Sequence, residues 1–215
     1  MALLHKRDEQ IHDLIVLERN EALNKQREIL QAWEPQSQLW SVNHSPTILA
    51  SISALTAMYI NNHYRKKMRL FNYGRLSSYL PTVVIPSMIT AFGHSMLVQN
   101  DVLLRDTRCV LCIQMRCAAL QVATSVCYPM VLAPLAALGF AARYRTFIVP
   151  NLISAQGRKF AAETWIKFTK PIANNLLAIV AAQGLTASFL AYHQIKTVAM
   201  VDVKFAEIVG EEETV

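Results

Sequence analysis

The sequence predicts an all-α integral membrane protein: a four-helix transmembrane bundle preceded by an N-terminal amphipathic helix. Three observations carry that reading. Hydrophobic residues make up 53% of the 215-residue chain and charged residues 17%, where a soluble domain carries roughly 25% charge. The charges gather in short blocks separated by long uncharged stretches, as in multi-span membrane proteins. Those stretches approach or exceed the ~20 residues a helix needs to cross the hydrocarbon core.

The elements follow in order. Residues 1–34 form the first segment, a mostly exposed helix from Leu3 to Trp33. Leu4, Ile11, Leu14 and Ile15 give a partial apolar stripe, broken at Glu18 and Glu21 and resumed by Ile29, Leu30 and Trp33. Such a helix leans on the membrane or on a partner; the alternative is a solvated tail. Glu34-Pro35 ends it, because proline cannot continue a helix and restricts the residue before it. The segment has no apolar run of a secretory signal. Asp8, Glu9, Asp13 and Glu18 also contradict the acid-poor composition of a transit peptide, so any organellar targeting is expected to be internal.

Residues 35–200 hold four spans, at about 43–62, 79–99, 117–142 and 171–195. The first is the weakest: Thr47 to Ile60 carries no charge, Leu39 to Val42 extends it backwards, and Trp40, Tyr59 and Tyr64 suit the membrane interface. The second runs from Tyr79 to Gln99, with Pro86 expected to kink it and His94 expected to hydrogen-bond a neighbouring helix. A polar connection from Asp101 to Arg116 precedes the third span, which contains Pro129 and Pro134. There Ala133, Ala137 and Ala141 recur every four residues on one face, a spacing that lets membrane helices approach closely. Arg158 to Thr169 reads as a short interfacial helix, with Phe160, Ala161, Trp165 and Phe168 dipping into the bilayer. Pro171 opens the fourth span. Residues 201–215 are an acidic tail, expected to fray from Glu207 to Val215.

Charge near the spans sets the orientation. Arg65, Lys66, Lys67, Arg69 and Arg75 fill one short loop. Arg143, Arg145, Arg158, Lys159, Lys167 and Lys170 fill another, against Glu163 alone. The positive-inside rule places these two loops inside and both termini on the other side. The net charge of +6 therefore points to anionic lipid headgroups such as those of cardiolipin. No nucleic-acid partner is expected, because zinc-finger spacing, RNA-binding signatures and a continuous basic helix are all missing.

Little in the sequence suggests catalysis. Cys109-x-x-Cys112 has a redox or metal spacing. Three readings stand: plain thiols, a structural disulfide, or a metal or catalytic pair. The predicted spans contain no Asp, Glu, Lys or Arg, whereas ion and proton carriers usually place one there. Ser-His-Asp arrangements, phosphate-binding glycine loops and H-E-x-x-H are missing too. The expectation is a membrane interaction protein, not an enzyme, with no cofactor and no metal. The readings weighed against it are a small lipid or solute transporter and a thiol oxidoreductase.

Residues 125–150 read SVCYPMVLAPLAALGFAARYRTFIVP. With Tyr128, Pro129, Pro134, Ala141, Ala142, Arg143, Tyr144 and Pro150 in that order, this segment resembles the transmembrane protein 126 family. TWIKFTKPIANNLL, with Trp165, Lys170 and Pro171, is similar to the family's segment before its last span, and Cys109-x-x-Cys112 falls where members carry a C-x-x-C. The resemblance covers about residues 35–200. It implies a multi-pass protein of the mitochondrial inner membrane, with the basic loops in the matrix and the termini in the intermembrane space. It implies a chaperone-like role in assembling respiratory complex I, with membrane-arm subunits as partners. Complex I intermediate assembly proteins of the acyl-CoA-dehydrogenase-like, CIA30-type and Ecsit-type would join them. A permanent accessory subunit of the same complex is the alternative. The interaction residues this reading nominates are Ala133, Ala137, Ala141, Arg143, Tyr144, Lys170 and Pro171, with Cys109 and Cys112 as a possible disulfide.

Overall fold

Residues 19–105, 109–148 and 154–212 are described in a computed structural model, and among them every regular element is helical. Helix α1 spans Arg19–Ala32 and α2 spans Trp40–Lys67. Helix α3 runs Arg75–Leu104 and α4 runs Val110–Tyr144. Helix α5, Ala155–Thr169, continues through a 3₁₀ turn at Lys170–Ile172 into α6, Ala173–Glu212.

Three helical runs are long and apolar enough to cross a membrane: Arg75–Leu104, Val110–Tyr144 and Ala155–Phe205. This is the architecture of a multi-pass membrane protein. Helix α2 is long but less apolar, for a reason visible in its packing. It lies against α3, α4 and α6 at once and turns Ser41, Ser45, Ser53, Thr56 and Asn61 inward. Its hydropathy is low because its polar side chains serve the bundle interior.

The prolines leave a local signature. Ahead of Pro86 the Ile85 N–H reaches back to Leu80, and ahead of Pro129 the Tyr128 N–H reaches back to Ala123. Each is a five-residue, π-type closure. Proline supplies no N–H and its ring crowds the carbonyl four residues earlier, so the preceding turn widens.

Several expectations are corrected. The predicted four-helix bundle contains more than four helices: α1 and α5 join it. Residues 1–18 of the N-terminal segment lie outside the described residues. The rest, α1, packs Leu23 and Leu30 into the core with Val102 and Leu103 of α3. Arg19 reaches Asp101 at 3.4 Å and Gln26 reaches Asp202 at 2.8 Å. Its end comes where Glu34-Pro35 requires, and the Gln36 amide caps it by donating to the Leu30, Gln31 and Trp33 carbonyls. The connection expected from Asp101 to Arg116 is largely helical, because α3 and α4 both extend into it. Asp101, mostly buried, accepts from Arg116 across the gap. The tail is not frayed through residue 212: Asp202 pairs with Arg105 at 2.7 Å, and helix α6 continues to Glu212. Residues 213–215 lie outside the described residues. Pro171 opens no new helix; it sits in the turn joining α5 to α6, where its missing N–H costs little.

Candidate functional site

A polar seam runs through the middle of the bundle. Gln121 and Ser125 are one turn apart on α4, as are Thr90 and His94 on α3, so each pair faces the same way. Gln183 of α6 joins three helices. Its Nε2 donates to Thr56 Oγ1 of α2 at 2.6 Å. Its Oε1 accepts from Gln121 Nε2 at 3.1 Å and from Ser125 Oγ. A step away, the Thr90 and Thr124 hydroxyls lie 2.7 Å apart, with Ser53 Oγ 3.2 Å from Thr90. His94 finds the partner on a neighbouring helix that its position predicts: Nδ1 is 3.5 Å from Cys117 Sγ of α4. Amides and hydroxyls that answer one another hold helices together where lipid offers no competing partner. Interhelical hydrogen bonds in membranes average about 0.6 kcal/mol each. Gln183→Leu removes three at once, so a loss of about 2 kcal/mol is expected, read as a lower unfolding midpoint in detergent.

The basic end of the bundle is built around Arg65, which the sequence suggested was a lipid-facing loop cation. It is buried instead. Its guanidinium donates to the Phe71 and Tyr73 carbonyls at 2.8 and 2.9 Å, to Ser78 Oγ at 2.9 Å and to the Gly74 carbonyl at 3.4 Å. Burial lowers its pKa from the usual value. One side chain thus gathers the turn between α2 and α3. Gly74 sits there at φ +57°, and a Cβ on it would come within 2.9 Å of the Phe140 ring. Gly74→Ala is expected to cost about 1–2 kcal/mol from the left-handed backbone alone, with the Phe140 clash added. The measurement is the thermal midpoint in detergent.

The nominated residues divide into two groups. Ala133, Ala137 and Ala141 are fully buried within the chain, in a cluster with Ile60, Tyr64, Met68 and Leu70. Their small-residue face does what its spacing predicts, but toward α2 rather than outward, so it offers a partner no surface. Arg143, Tyr144, Lys170 and Pro171 are exposed. Tyr144 stacks on Tyr73 at 5.1 Å, tying the end of α4 to the Arg65 turn. Lys170 and Pro171 lie at the α5–α6 turn, near Thr169, whose hydroxyl is 2.7 Å from Tyr64 Oη. Arg143 and Tyr144 thus lie beside the Arg65 turn, while Lys170 and Pro171 lie beside Tyr64.

Cys109 and Cys112 are joined as a disulfide at the start of α4. Cys109 Sγ also accepts from the Cys112 N–H at 3.2 Å. Cys127 is exposed and Cys117 buried, both free. Among the described residues no group of three or more metal-ligating side chains converges. In denaturant without reductant, two thiols are expected to react with an alkylating reagent, rising to four after reduction. Four before reduction would contradict the disulfide.

The surface that the small-residue argument missed is the outer face of α3. Leu76, Leu80, Ile85, Met88, Ile89, Phe92 and Met96 are all exposed along it. Their three- and four-residue spacing was the available signal. A cavity of about 600 Å³ opens on this face between Ile85 and Leu97. Exposed side chains this large and this flexible suit contact with another helix or with lipid.

The transmembrane protein 126 family model matches residues 21–207. The chain is 40% identical over 186 residues to transmembrane protein 126 of Drosophila melanogaster, covering 86% of this chain and 82% of that protein. It is 26% identical over 162 residues to transmembrane protein 126A of Mus musculus, covering 75% and 79% respectively. No solved structure matches. The match begins within α1 and ends in the last part of α6, taking in the seam, the Arg65 turn and the disulfide, and the chain accordingly belongs to the transmembrane protein 126 family.

Proposed function

We propose that this chain is an assembly factor for mitochondrial respiratory complex I, holding membrane-arm intermediates in the inner membrane. The single observation that carries the reading beyond family membership is the unpartnered outer face of α3, from Leu76 to Met96. New membrane subunits expose helix faces that later meet other subunits. A helix face carrying Met88 and Met96 adapts to such surfaces without requiring one fixed shape. Behind it, the hydrogen-bonded seam and the Arg65 turn keep the helix in place. In this reading α2 is a fourth span whose polar side chains are satisfied inside the bundle. The basic turns at Arg65–Arg75 and Arg143–Lys170 face the matrix, and the termini face the intermembrane space. The partners are membrane-arm subunits together with intermediate assembly proteins of the acyl-CoA-dehydrogenase-like, CIA30-type and Ecsit-type.

The test is native-gel fractionation of mitochondrial membranes from cells carrying a tagged copy, with each band identified by mass spectrometry. Tag signal in incomplete complex I modules, with little in the mature enzyme, is the expected result. Equal signal in the mature enzyme would instead make the chain an accessory subunit. Signal outside mitochondria would remove the complex I role.

A further inference from the structure

Between the outer half of α4 and α5 lies a cleft of about 320 Å³, separate from the α3 face. Met130, Pro134 and Leu138 form one wall; Ala161 and Trp165 form the other, with Arg158 beside them. Its direction can be read from its neighbours. Tyr64 Oη lies 3.9 Å from Met130 Sδ and 2.7 Å from Thr169 Oγ1, so Met130 and the end of α5 share one level, close to the bundle. Along the lining, Met130 and Trp165 lie toward this level, and Leu138 on α4 and Arg158 on α5 are the lining residues furthest from it in sequence. The cleft runs from a Met130–Trp165 end to a Leu138–Arg158 end, away from the seam.

We propose that this cleft binds an anionic phospholipid, with one acyl chain along the apolar walls and the phosphate at Arg158. The distribution of chemistry fits this occupant. The lining is apolar along its length, and its one charged residue, Arg158, stands at the end marked by Leu138. Lys159 follows Arg158 on α5, and Arg143 and Arg145 end α4; all three are exposed. Glu163 is the sole acid of α5. A small polar solute would find no partners along the walls. The volume lies at the lower end of the ~300–1,000 Å³ range of ligand clefts, suited to one chain rather than a whole lipid. Arginine's planar fork matches phosphate oxygens in a bidentate pair. The inference does not depend on the complex I role.

The test uses the full chain purified in a neutral detergent and native mass spectrometry. Equimolar dioleoylphosphatidylglycerol and dioleoylphosphatidylcholine serve as probes. The wild type is expected to retain the anionic lipid about tenfold over the zwitterionic one. Arg158→Gln should bring that ratio near unity. Ala162→Trp, at an exposed position lining the cleft, should reduce retention of both lipids while leaving the thermal midpoint unchanged. Equal retention of both lipids by the wild type would overturn the proposal. So would unchanged retention in both variants, or a dimer that Ala162→Trp converts to monomer, which would make a second copy the occupant.

Discussion

Arg65→Ala is expected to cost on the order of 3 kcal/mol or more and to leave little folded protein after detergent extraction. Arg65 is almost wholly inaccessible, at 3% exposure. It serves three carbonyls and a hydroxyl within one turn. Hydrogen bonds to a charged group contribute about 1.5–3 kcal/mol each, and buried acceptors left unpaired cost desolvation as well. Because the carbonyls of Phe71 and Tyr73 point at one centre, deleting that centre frees the whole α2–α3 connection. Arg65→Lys should recover only part of the loss, since a point ammonium cannot span acceptors arranged for a planar fork. Fluorescence-detected size exclusion after a temperature series measures both variants. Arg143→Ala, at an exposed position on the same end, should leave the midpoint within ~0.5 kcal/mol.

Ala137→Leu is expected to be nearly as severe, and for the opposite reason: too much side chain rather than too little. Ala137 is 1% exposed, and its neighbours one turn either side, Ala133 and Ala141, are at 0%. The face they form lies against α2, where Ile60, Tyr64 and Met68 complete the layer. Three added carbons would have to displace a whole helix. Overpacking a dense core costs typically about 1–3 kcal/mol, and the lack of space here favours the upper end. Ala142→Leu, one residue on and exposed, is the matched control and should have little effect. If Ala137→Leu left the midpoint unchanged but abolished co-purification of partners, the alanine face would be an external interface after all.

The sequence and the structure agree most where a single periodicity decides. The apolar runs 79–99 and 117–142 fall inside α3 and α4, and the alanine spacing correctly marks a close helix contact. The disagreements occur where polar residues have partners far away in the chain. Asp101 reads as loop because it is charged; it is helical because Arg116 and Arg19 answer it. Asp202 reads as tail until Arg105 is placed beside it. Arg65 reads as a lipid-facing cation until the chain turns back and presents carbonyls to it. Periodicity also cannot say which of two faces looks inward. The alanines and the α3 methionines each form a stripe, and the structure assigns the first to the interior and the second to the exterior. Gln183 was legible only as a polar residue within a span; its role as the meeting point of three helices depends on Thr56 and Gln121, more than sixty residues away in each case.

In the proposed role, the outer face of α3 meets complex I subunits during assembly. Site-specific photo-crosslinking from Phe92, 61% exposed on that face, tests it most directly. A photoreactive amino acid is placed there in the tagged chain, and at Ala133 as a buried control. Light-dependent adducts at Phe92 with membrane-arm subunits, absent at Ala133 and lost once the mature complex has formed, are the predicted result. Adducts at Phe92 confined to lipid, or to proteins unconnected with complex I, would contradict it.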